Sequence, residues 1–477
     1  MAARRPARGL ALVVTALALA LPAAASAAGV TYGGDDLRTS WYPDQASLTP
    51  QLVTGGTFGR LFSAPVDGQV YAQPLMSNGT LFVATESDWI YGLDPVTGAQ
   101  QWARNVGTPW NPADVGCADL TPTIGITGTP VIDGATHTAY FFAKTYASGT
   151  SGPAVWKMHA VDTSTGAERG GFPVQIGGEA QNRPGATFDP THEMQRPGLL
   201  LMDGVVYAAF GGHCDALPYQ GWVFGVSTSG AVKARWASAP NYAGIWQSGG
   251  GVVSDGSGQI VVATGNGYGP TGPLLGTDPP GNLGESVVRL SVQSDGSLRA
   301  TDFFSPYDAV SLDDWDGDLG SGGPLALPST TFGTSSYPHL LVIAGKEGYV
   351  YLLDRDHLGG IAEGASGGDA VVARIGPYGG VWSRPAVWPG DGGYVYMPTA
   401  SPSADTPGLS YGGVLRAYRY GVDGSGKPTL ALAGTSTDVY GFGSGGPVVT
   451  SDGTSSGSAI VWILWSSDST GTGAQLR

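Results

Sequence analysis

The sequence predicts an all-β fold, a β-propeller of four-stranded blades, and three observations support this prediction. Glycine and proline, which break helices and favour turns, number 78 and 34 among 477 residues. Short apolar runs that alternate with polar residues recur along the chain, as in half-buried strands. These runs repeat with a period of about 60 residues. Repeated strand–turn–strand units of this kind are typical of blades around an axis. An array of β-sandwiches is the alternative, and the lack of polar linkers between repeats disfavours it.

Composition excludes several other classes of protein. Long helical bundles need segments that are rich in Ala, Glu, Lys and Leu and poor in Gly. The hydrophobic fraction of 42% and the aromatic fraction of 10% can form a large core, which argues against intrinsic disorder. The net charge of −15 argues against a general nucleic-acid binder, because phosphate neutralisation requires clustered Lys and Arg.

Residues 1–27 have the pattern of a secretory signal peptide. Three arginines lie among the first eight residues, an apolar region spans 10–21, and small residues at 25–27 form a cleavage site. The apolar region is too short to span a bilayer, and an uncleaved anchor is the alternative. We therefore predict an exported protein, secreted or periplasmic, without a transmembrane segment. Its propeller would occupy residues 28–477 as a single domain.

The chain has two cysteines, Cys117 and Cys214. In an exported protein an even number of cysteines favours a disulfide, and we predict that these two form one. Two free buried thiols are the alternative. Neither cysteine lies in a C-x-x-C arrangement, which excludes covalent haem attachment and cysteine zinc sites.

Seven repeats can be aligned by their openings, in which a short signal of Gly, Pro or Ser precedes an apolar run. The openings lie at 73–75, 128–131, 196–198, 248–251, 321–324, 384–387 and 444–447. A second apolar run follows most of them, at 81–85, 139–143, 205–210, 259–264, 340–344 and 394–398. The sequence therefore predicts at least six complete blades.

The third run of a repeat ends in a turn with a recurring pattern. In the first repeat Asp94 begins the turn, Gly98 ends it, and Trp102 follows four residues later; 159–166 repeats the turn. The Asp carboxylate can accept backbone N–H groups across the turn, and the glycine supplies a positive φ. The tryptophan is predicted on the outer strand, where a large ring can fill the gap to the next blade.

The Asp-x-x-Thr-Gly-x-x-x-Trp pattern at 94–102 resembles the tryptophan-docking repeat of pyrroloquinoline-quinone (PQQ) type propellers. That group includes the quinoprotein alcohol dehydrogenases and non-enzymatic relatives such as the outer-membrane-assembly propeller. The resemblance covers residues 30–477 at the level of repeats, and such families commonly have eight blades.

The end of the chain departs from a complete ring of that kind. The seventh repeat reaches residue 477 where its third strand would begin, and 60–66 reads as an outer strand without inner strands before it. We therefore expect six to seven blades here, in a chain that lacks the end of blade seven and most of blade eight.

The resemblance implies candidate site residues near the blade openings, where the innermost strands face the axis. Trp246 matches a tryptophan that lies under the quinone plane in the dehydrogenases. Asn266 matches an asparagine that gives an amide oxygen to calcium, an ion that favours oxygen ligands. A packing role for Trp246 and a turn role for Asn266 are the alternatives.

The acidic segment 313–318 is similar to the one that carries the catalytic base of the dehydrogenases. Asp316 falls at the matching position, where a carboxylate could accept the alcohol proton during hydride transfer. Asp318 in the same segment is a candidate calcium ligand. Lys346 lies where a basic residue can polarise a quinone carbonyl oxygen. A solvated acidic loop and an exposed hairpin lysine are the alternatives.

Three further side chains at blade openings, Thr129, Arg196 and Arg384, are candidate cofactor-binding residues. The position of these openings predicts that they face the axis, where the arginines could hold carboxylates of an anionic ligand by paired hydrogen bonds. Structural pairing with nearby aspartates is the alternative.

Two departures from the dehydrogenase pattern leave the function open. A glutamate that binds calcium in the dehydrogenases has no carboxylate counterpart in 147–155, and their adjacent pair of cysteines is replaced by two distant ones. One candidate function is a PQQ- and calcium-dependent dehydrogenase that oxidises an alcohol or sugar. The other is a non-catalytic propeller that binds a protein or a polymer.

Overall fold

The structure is a computed structural model that describes residues 30–56, 58–256, 258–267, 278–468 and 471–477. The predicted signal peptide lies outside the described residues. The described chain folds into seven sheets arranged as the blades of a β-propeller, which confirms the predicted fold class. Each predicted opening lies at the start of one blade, and all but the fourth lead into a strand at its inner edge.

Blades one, two, five and six are four-stranded antiparallel sheets in chain order. Blade one contains Leu75–Ser77, Thr80–Ala84, Trp89–Leu93 and Gln100–Asn105. Blade two contains Val131–Asp133, Thr138–Ser148, Ser151–Asp162 and Val174–Gln175. Blade five contains Leu325–Ala326, Leu340–Ala344, Val350–Asp354 and Ala373–Ile375. Blade six contains Ala386–Trp388, Tyr394–Pro398, Gly413–Val422 and Pro428–Tyr440.

Blades three and four keep this order with local changes. Blade three contains Leu200–Met202, Val205–Gly212, Trp222–Ser227 and Val232–Ala237, and Glu193–Met194 also pairs with its second strand. Blade four contains Gln259–Ala263, Val287–Val292 and Leu298–Phe304, with a single bridge from Val253 in place of an innermost strand. Glu179–Ala180 and Arg183–Thr187 form a separate hairpin between blades two and three.

Helical segments are short and lie in the connections. The α-helices are Pro50–Thr54 and Ala309–Asp314. The 3₁₀ segments are Pro112–Val115, Gln247–Gly249, Leu319–Ser321, Ala365–Gly367 and Gly390–Gly392. No helix in the part of the chain that the structure describes is long and apolar enough to cross a membrane.

Blade seven brings the two ends of the described chain together. Val448–Thr450 and Ile460–Trp462 pair antiparallel, and Trp41–Tyr42 adds to the first of them in parallel. Gln475–Leu476 then pairs with Leu464–Trp465, so a third strand starts where the repeat pattern predicts. The count of seven agrees with the expected six to seven blades. The pairing of 41–42 with the last repeat was not predicted from the sequence.

Residues 60–66 correct one expectation, because no strand is assigned to them and their backbone joins no sheet. Their neighbourhood still connects the ends of the ring. The ring of Phe58 lies 5.2 Å from that of Trp462 in blade seven, and Phe62 lies against Gly98 of blade one. The segment therefore joins blade seven to blade one through side chains rather than through a strand.

The predicted turn geometry is confirmed in blade one. Asp94 Oδ1 accepts the N–H groups of Val96 and Thr97 at 3.0 and 2.8 Å, which lowers the pKa of Asp94. Gly98 has a φ of 71°. Trp102 Nε1 donates to the Thr163 carbonyl of the next blade at 3.1 Å. The tryptophan therefore docks on the neighbouring turn, as the repeat pattern predicts.

Aromatic side chains form the core between neighbouring blades. Beside blade three, Phe188 packs edge-on against Phe210, Trp222 and Phe224 with ring centroids 5.2, 5.5 and 4.8 Å apart. All four rings are buried. Such edge-to-face pairs stabilise the fold beyond the burial of apolar area, so these rings form a tightly packed junction at blade three.

Residues 30–42, here called the axial segment, run through the centre of the ring. The segment hydrogen-bonds to the innermost part of every blade, and because those parts face the axis it must lie on the axis. Its partners are Gln73, Ile132, Leu199, Ser254, Ala326, Val387 and Val449 in blades one to seven.

Arg38 holds the axial segment in place. Its side chain is completely buried and donates six hydrogen bonds of 2.6–3.2 Å. The acceptors are the carbonyls of Leu199 and Val252 on the ring, with Tyr32 O, Asp35 O and Thr31 Oγ1 of the segment itself. Burial lowers the pKa of Arg38 to about 10, so the guanidinium is charged at neutral pH.

Candidate functional site

A cavity of 760 Å³ lies on the axis at the ends of the blades. It is lined by side chains from around the whole ring, including Tyr71, Asp119, Arg196, Ser248, Asp318, Trp382 and Ser444. This volume is in the range that holds a small molecule or an organic cofactor. The axial segment fills the centre of the ring next to this cavity, since it bonds to all seven blades, and its Tyr32 lines a smaller adjoining cavity of 190 Å³.

Six of the side chains that the sequence singles out converge on the main cavity. They are Arg196, Trp246, Asn266, Asp316, Asp318 and Lys346. They come from positions far apart in the chain, and the propeller brings them together because each follows or precedes an inner strand. Thr129 and Arg384 are not among the residues that line this cavity.

Lys346 is the electrostatic centre of the site. Its Nζ lies 2.8 Å from Asp316 Oδ1 and 2.6 Å from Asp318 Oδ2, and 5.6 Å from the centroid of the Trp246 ring. Burial disfavours the charged amine, but the two aspartates outweigh this effect and raise the pKa of Lys346. An ammonium therefore stands beside the indole face at neutral pH.

The turn around Asn266 holds Asp316 and Asp318 by hydrogen bonds. Its backbone N–H donates to Asp318 Oδ1, and its Nδ2 donates to Asp316 Oδ1 at 3.2 Å. Gly267 N donates to Asp313 Oδ1 at 2.8 Å. A Cβ on Gly265 would overlap Asp318 Oδ1, so only glycine leaves room for that carboxylate. The amide nitrogen of Asn266 is thus engaged with Asp316, and its amide oxygen, for which the described residues provide no hydrogen-bond donor, is the group left for a ligand.

A further carboxylate, which the sequence analysis did not identify, lies behind Asp318. Glu285 is completely buried, and its Oε2 accepts Leu319 N–H at 2.5 Å. Its Oε1 has no hydrogen-bond partner among the described residues. Burial, followed by repulsion from Asp318, raises the pKa of Glu285 well above the usual range. Burial likewise raises the pKa of Asp318 to about 6, against the attraction of Lys346.

The predicted disulfide is present and forms part of the cavity wall. Cys117 and Cys214 are bonded across 97 residues of sequence, and Cys214 lines the cavity. Asp119 is near both sulfur atoms, but because the sulfurs are bonded to each other they offer no thiolate to a metal. Arg196 links two parts of this wall, because its guanidinium donates to Gly212 O at 2.8 Å and to Asp119 Oδ2 at 2.9 Å.

Thr129 and Arg384 take part in holding the axial region. Thr129 Oγ1 accepts the N–H of Gln73 at 2.9 Å, and Thr129 lines the smaller cavity. Arg384 donates to Ser40 Oγ, and its guanidinium lies 4.0 Å from the centroid of the Tyr32 ring. Arg384 is nearly completely buried, because the axial segment, absent from the repeat pattern, covers it.

Aromatic side chains that the sequence analysis did not select surround the main cavity. Trp382 and Phe442 pack edge-on with centroids 5.5 Å apart, and both line the cavity. Tyr71 and Tyr219 line it as well, and Tyr219 donates to Asp215 Oδ1 at 2.6 Å. The only available signal was position, since Trp382 lies two residues before the sixth opening and Phe442 two residues before the seventh.

The chemical types of the cavity side chains suit a hard cation and a planar quinone. The Asn266 amide oxygen, Asp316 and Asp318 are oxygen ligands of the type that calcium prefers, and Glu285 Oε1, which has no partner among the described residues, is a further oxygen behind them. Trp246 offers a flat apolar face, and Lys346 offers a donor beside it. Because Lys346 already bridges the two aspartates, a bound cation would share them with the ammonium.

Solved structures with the same fold include quinoprotein dehydrogenases. The quinohemoprotein alcohol dehydrogenase ADHIIG from Pseudomonas putida HK5 is 14% identical with a TM-score of 0.60, and the match covers 92% of this chain and 69% of the chain of that enzyme. A europium-containing methanol dehydrogenase is 15% identical with a TM-score of 0.55, covering 91% and 81%. BamB from Moraxella catarrhalis is 15% identical with a TM-score of 0.38, covering 72% and 70%.

No protein-family model and no curated protein sequence matches the chain. The likeness to solved structures therefore establishes the architecture of the chain. It is a seven-bladed β-propeller with the fold of quinohemoprotein and methanol dehydrogenases.

Proposed function

We propose that the protein is a quinoprotein-like dehydrogenase that oxidises an alcohol or a sugar. The observation that carries the proposal is the convergence of Trp246, Asn266, Asp316 and Lys346 on one axial cavity. Each was singled out for a separate role in the same reaction, and unrelated surface residues would have been scattered over the ring. The axial segment also fills the centre of the ring next to the cavity, which gives a site from which bulk water can be excluded.

The cofactors consistent with these side chains are PQQ and a hard cation such as calcium. When bound, PQQ would supply the electron-pair acceptor and the cation would supply Lewis acidity. Trp246 would support the quinone plane, Lys346 would donate to a quinone oxygen, and Asn266 with Asp318 would hold the cation. The solved dehydrogenase that contains europium makes a trivalent ion a second candidate.

Asp316 is the residue best placed to accept the substrate hydroxyl proton. Its carboxylate is 59% exposed toward the cavity, whereas that of Asp318 is 6% exposed. The hydrogen bond from Asn266 and the ion pair with Lys346 fix its orientation. A carboxylate held in this way keeps a free lone pair for a proton, which is what general base catalysis requires.

The lining of the cavity favours a neutral substrate that combines apolar faces with hydroxyls. Lys346 and Arg196 are both paired with aspartates, so little positive charge remains for an anionic substrate. The rings of Tyr71, Trp382 and Phe442 offer flat apolar surfaces. Sugars and other bulky alcohols have this character, because their C–H faces pack on rings while their hydroxyls bond to polar groups.

The site of action that we propose is outside the cytoplasm. The basis is the signal-peptide pattern of residues 1–27 together with a disulfide in the cavity wall.

The test is a titration of the purified mature protein with PQQ and Ca²⁺, or with PQQ and Eu³⁺, followed by a dye-linked oxidation assay with alcohols and sugars. We expect Trp246 fluorescence to be quenched on binding and turnover to follow. Asp316→Asn should keep binding and lose at least a hundredfold in kcat, consistent with the usual contribution of a general base. Asp314→Asn is the matched control, since Asp314 is exposed in the same segment.

Two outcomes separate the candidate functions. Binding without turnover in the wild-type protein would mean that the cavity holds the cofactor without this chemistry. No binding and no turnover would reject the enzyme and leave a propeller that binds a protein or polymer, which the missing carboxylate in 147–155 already favours.

A further inference from the structure

A second group of buried carboxylates lies where blade one meets blade two. Glu86 and Asp88 are in the hairpin between Thr80–Ala84 and Trp89–Leu93, and both have no exposed surface. Glu86 Oε2 accepts the N–H of Gly125 at 2.8 Å. Glu86 Oε1 and both oxygens of Asp88 have no hydrogen-bond partner in the described part of the chain. Buried carboxylate oxygens without partners are costly, so this arrangement requires an explanation.

Within the described ranges, no basic side chain forms an ion pair with Glu86 or Asp88. Lys157 and Arg196 act on Asp88 and Glu86 only from a distance, and Arg196 forms its ion pair with Asp119 instead. Two neighbouring carboxylates without a counter-ion repel each other and resist burial. A bound cation would remove both penalties.

Independent of the two acids, Thr145 also points to a ligand. It is 2% exposed, and its hydroxyl has no hydrogen-bond partner among the described residues. A Cβ on Gly107 would lie 2.6 Å from the Thr145 methyl group and 3.7 Å from Asp88 Oδ2, so both side chains border this glycine. A Cβ on Gly125 would lie 2.5 Å from Asp88 Oδ1. The Asp88 carboxylate therefore lies between two glycines, and a side chain at Gly125 would displace it.

The group has a route to solvent through the axial cavities. Thr127 lines the smaller cavity, and its side chain lies beside the Glu86 carboxylate. Thr127 is 8% exposed, and it touches both that cavity and Glu86, so a rotation of this side chain would open the way to the carboxylate. An ion could therefore reach the carboxylates after the ring has closed.

We propose that Glu86 and Asp88, with the hydroxyl of Thr145, bind a hard divalent cation of the Ca²⁺ type. All of the donors are oxygens, and two carboxylates match the charge of one divalent ion. Ca²⁺ accepts six to eight oxygen ligands in flexible geometry, including carbonyls and hydroxyls, whereas Mg²⁺ requires a near-octahedral set and retains water. The site is separate from the cavity around Lys346, and it would tie the blade-one hairpin to blade two.

The experiment uses the mature protein without PQQ, stripped with a chelator and dialysed. Ca²⁺ binding is measured by calorimetry and by the shift of the melting temperature with Ca²⁺. We expect wild type and Asp316→Asn, which alters only the Lys346 cavity, to bind one Ca²⁺ at the blade junction with the same affinity. Asp88→Asn and Glu86→Gln should each weaken that binding at least tenfold, and Thr145→Val should weaken it several-fold.

Because Asp88→Asn could prevent folding, Glu86→Gln and Thr145→Val also serve as independent variants. A Ca²⁺ response that is unchanged in Glu86→Gln and Thr145→Val would overturn the proposal, since the ion would then bind elsewhere. Absence of any Ca²⁺ response in the wild-type protein would also overturn it, and would mean that the carboxyls are buried in their protonated forms.

Discussion

Replacing Arg38 with alanine should strongly destabilise the propeller. The side chain is completely buried and donates six hydrogen bonds, three of them to carbonyls of blades three and four and three within the axial segment. Alanine would leave the carbonyls of Leu199 and Val252 without these donors at the centre of the ring, where water has little access.

The expected loss is about 3–5 kcal/mol in the free energy of unfolding. Hydrogen bonds to a charged group contribute about 1.5–3 kcal/mol each, but alanine also removes the cost of burying the guanidinium. Each buried carbonyl that loses its donor costs about 1–3 kcal/mol, and losing the donors of Leu199 and Val252 together outweighs this gain. Arg38→Lys keeps the charge with fewer donors, and we expect an intermediate loss.

The measurement is equilibrium unfolding in urea at pH 7, followed by circular dichroism and tryptophan fluorescence. Arg299→Ala is the matched control, because Arg299 is an exposed arginine on a blade, and its effect should stay within about 0.5 kcal/mol. If Arg38→Ala unfolds within about 1 kcal/mol of wild type, the axial segment is not an essential part of the fold and the reasoning is wrong.

Three further predictions test the wall of the cavity, its floor and the pH dependence of stability. Replacing both cysteines with serine should lower the free energy of unfolding by roughly 4–5 kcal/mol, the loop-closure value for a bond across 97 residues, and a reductant should then have no further effect in urea unfolding. Gly265→Ala should displace Asp318 and weaken PQQ and cation binding in the titration described above, whereas Gly134→Ala, where a Cβ meets nothing within 4 Å, should not. Burial raises the pKa of Glu347 to about 7 from 4.5, so the folded state holds a proton that the unfolded state has lost. Stability should therefore fall as pH rises from 4.5 to 7. In Glu347→Gln the free energy of unfolding should fall less over this pH range. If it falls as steeply as in the wild-type protein from pH 4.5 to 8, the assignment is wrong.

The repeat architecture could be predicted because each blade has the same local chemistry. The turn that begins at Asp94 and the docking of Trp102 involve neighbouring residues and the adjacent blade, so a regular spacing in the sequence reveals them. The disulfide followed from the cysteine count and the predicted compartment. The convergence of Trp246, Asn266 and Lys346 was implied by their match to the dehydrogenase pattern at positions beside blade openings.

Features that depend on long-range contacts could not be predicted. The axial segment has no repeat pattern, and its partners are mostly backbone groups that no sequence pattern marks. The sequence therefore predicts a ligand for Arg384. In the structure Arg384 instead donates to Ser40 and packs over the ring of Tyr32 in that segment. Glu285 and Asp88 look like ordinary surface acids in the sequence, and their burial depends on how neighbouring blades meet.

The axial segment also constrains the order in which the chain can reach its native state. Trp41 Nε1 donates to Ser451 Oγ at 2.8 Å across 410 residues, so the axial segment is synthesised long before the strand that it pairs with. Contacts between such distant positions form late and slow folding. Until blade seven is made, residues 30–42 have no complete surface to bind, and the inner edges of the earlier blades stay exposed to aggregation. A nascent chain of this kind would benefit from a chaperone that binds residues 30–42 until blade seven has been synthesised.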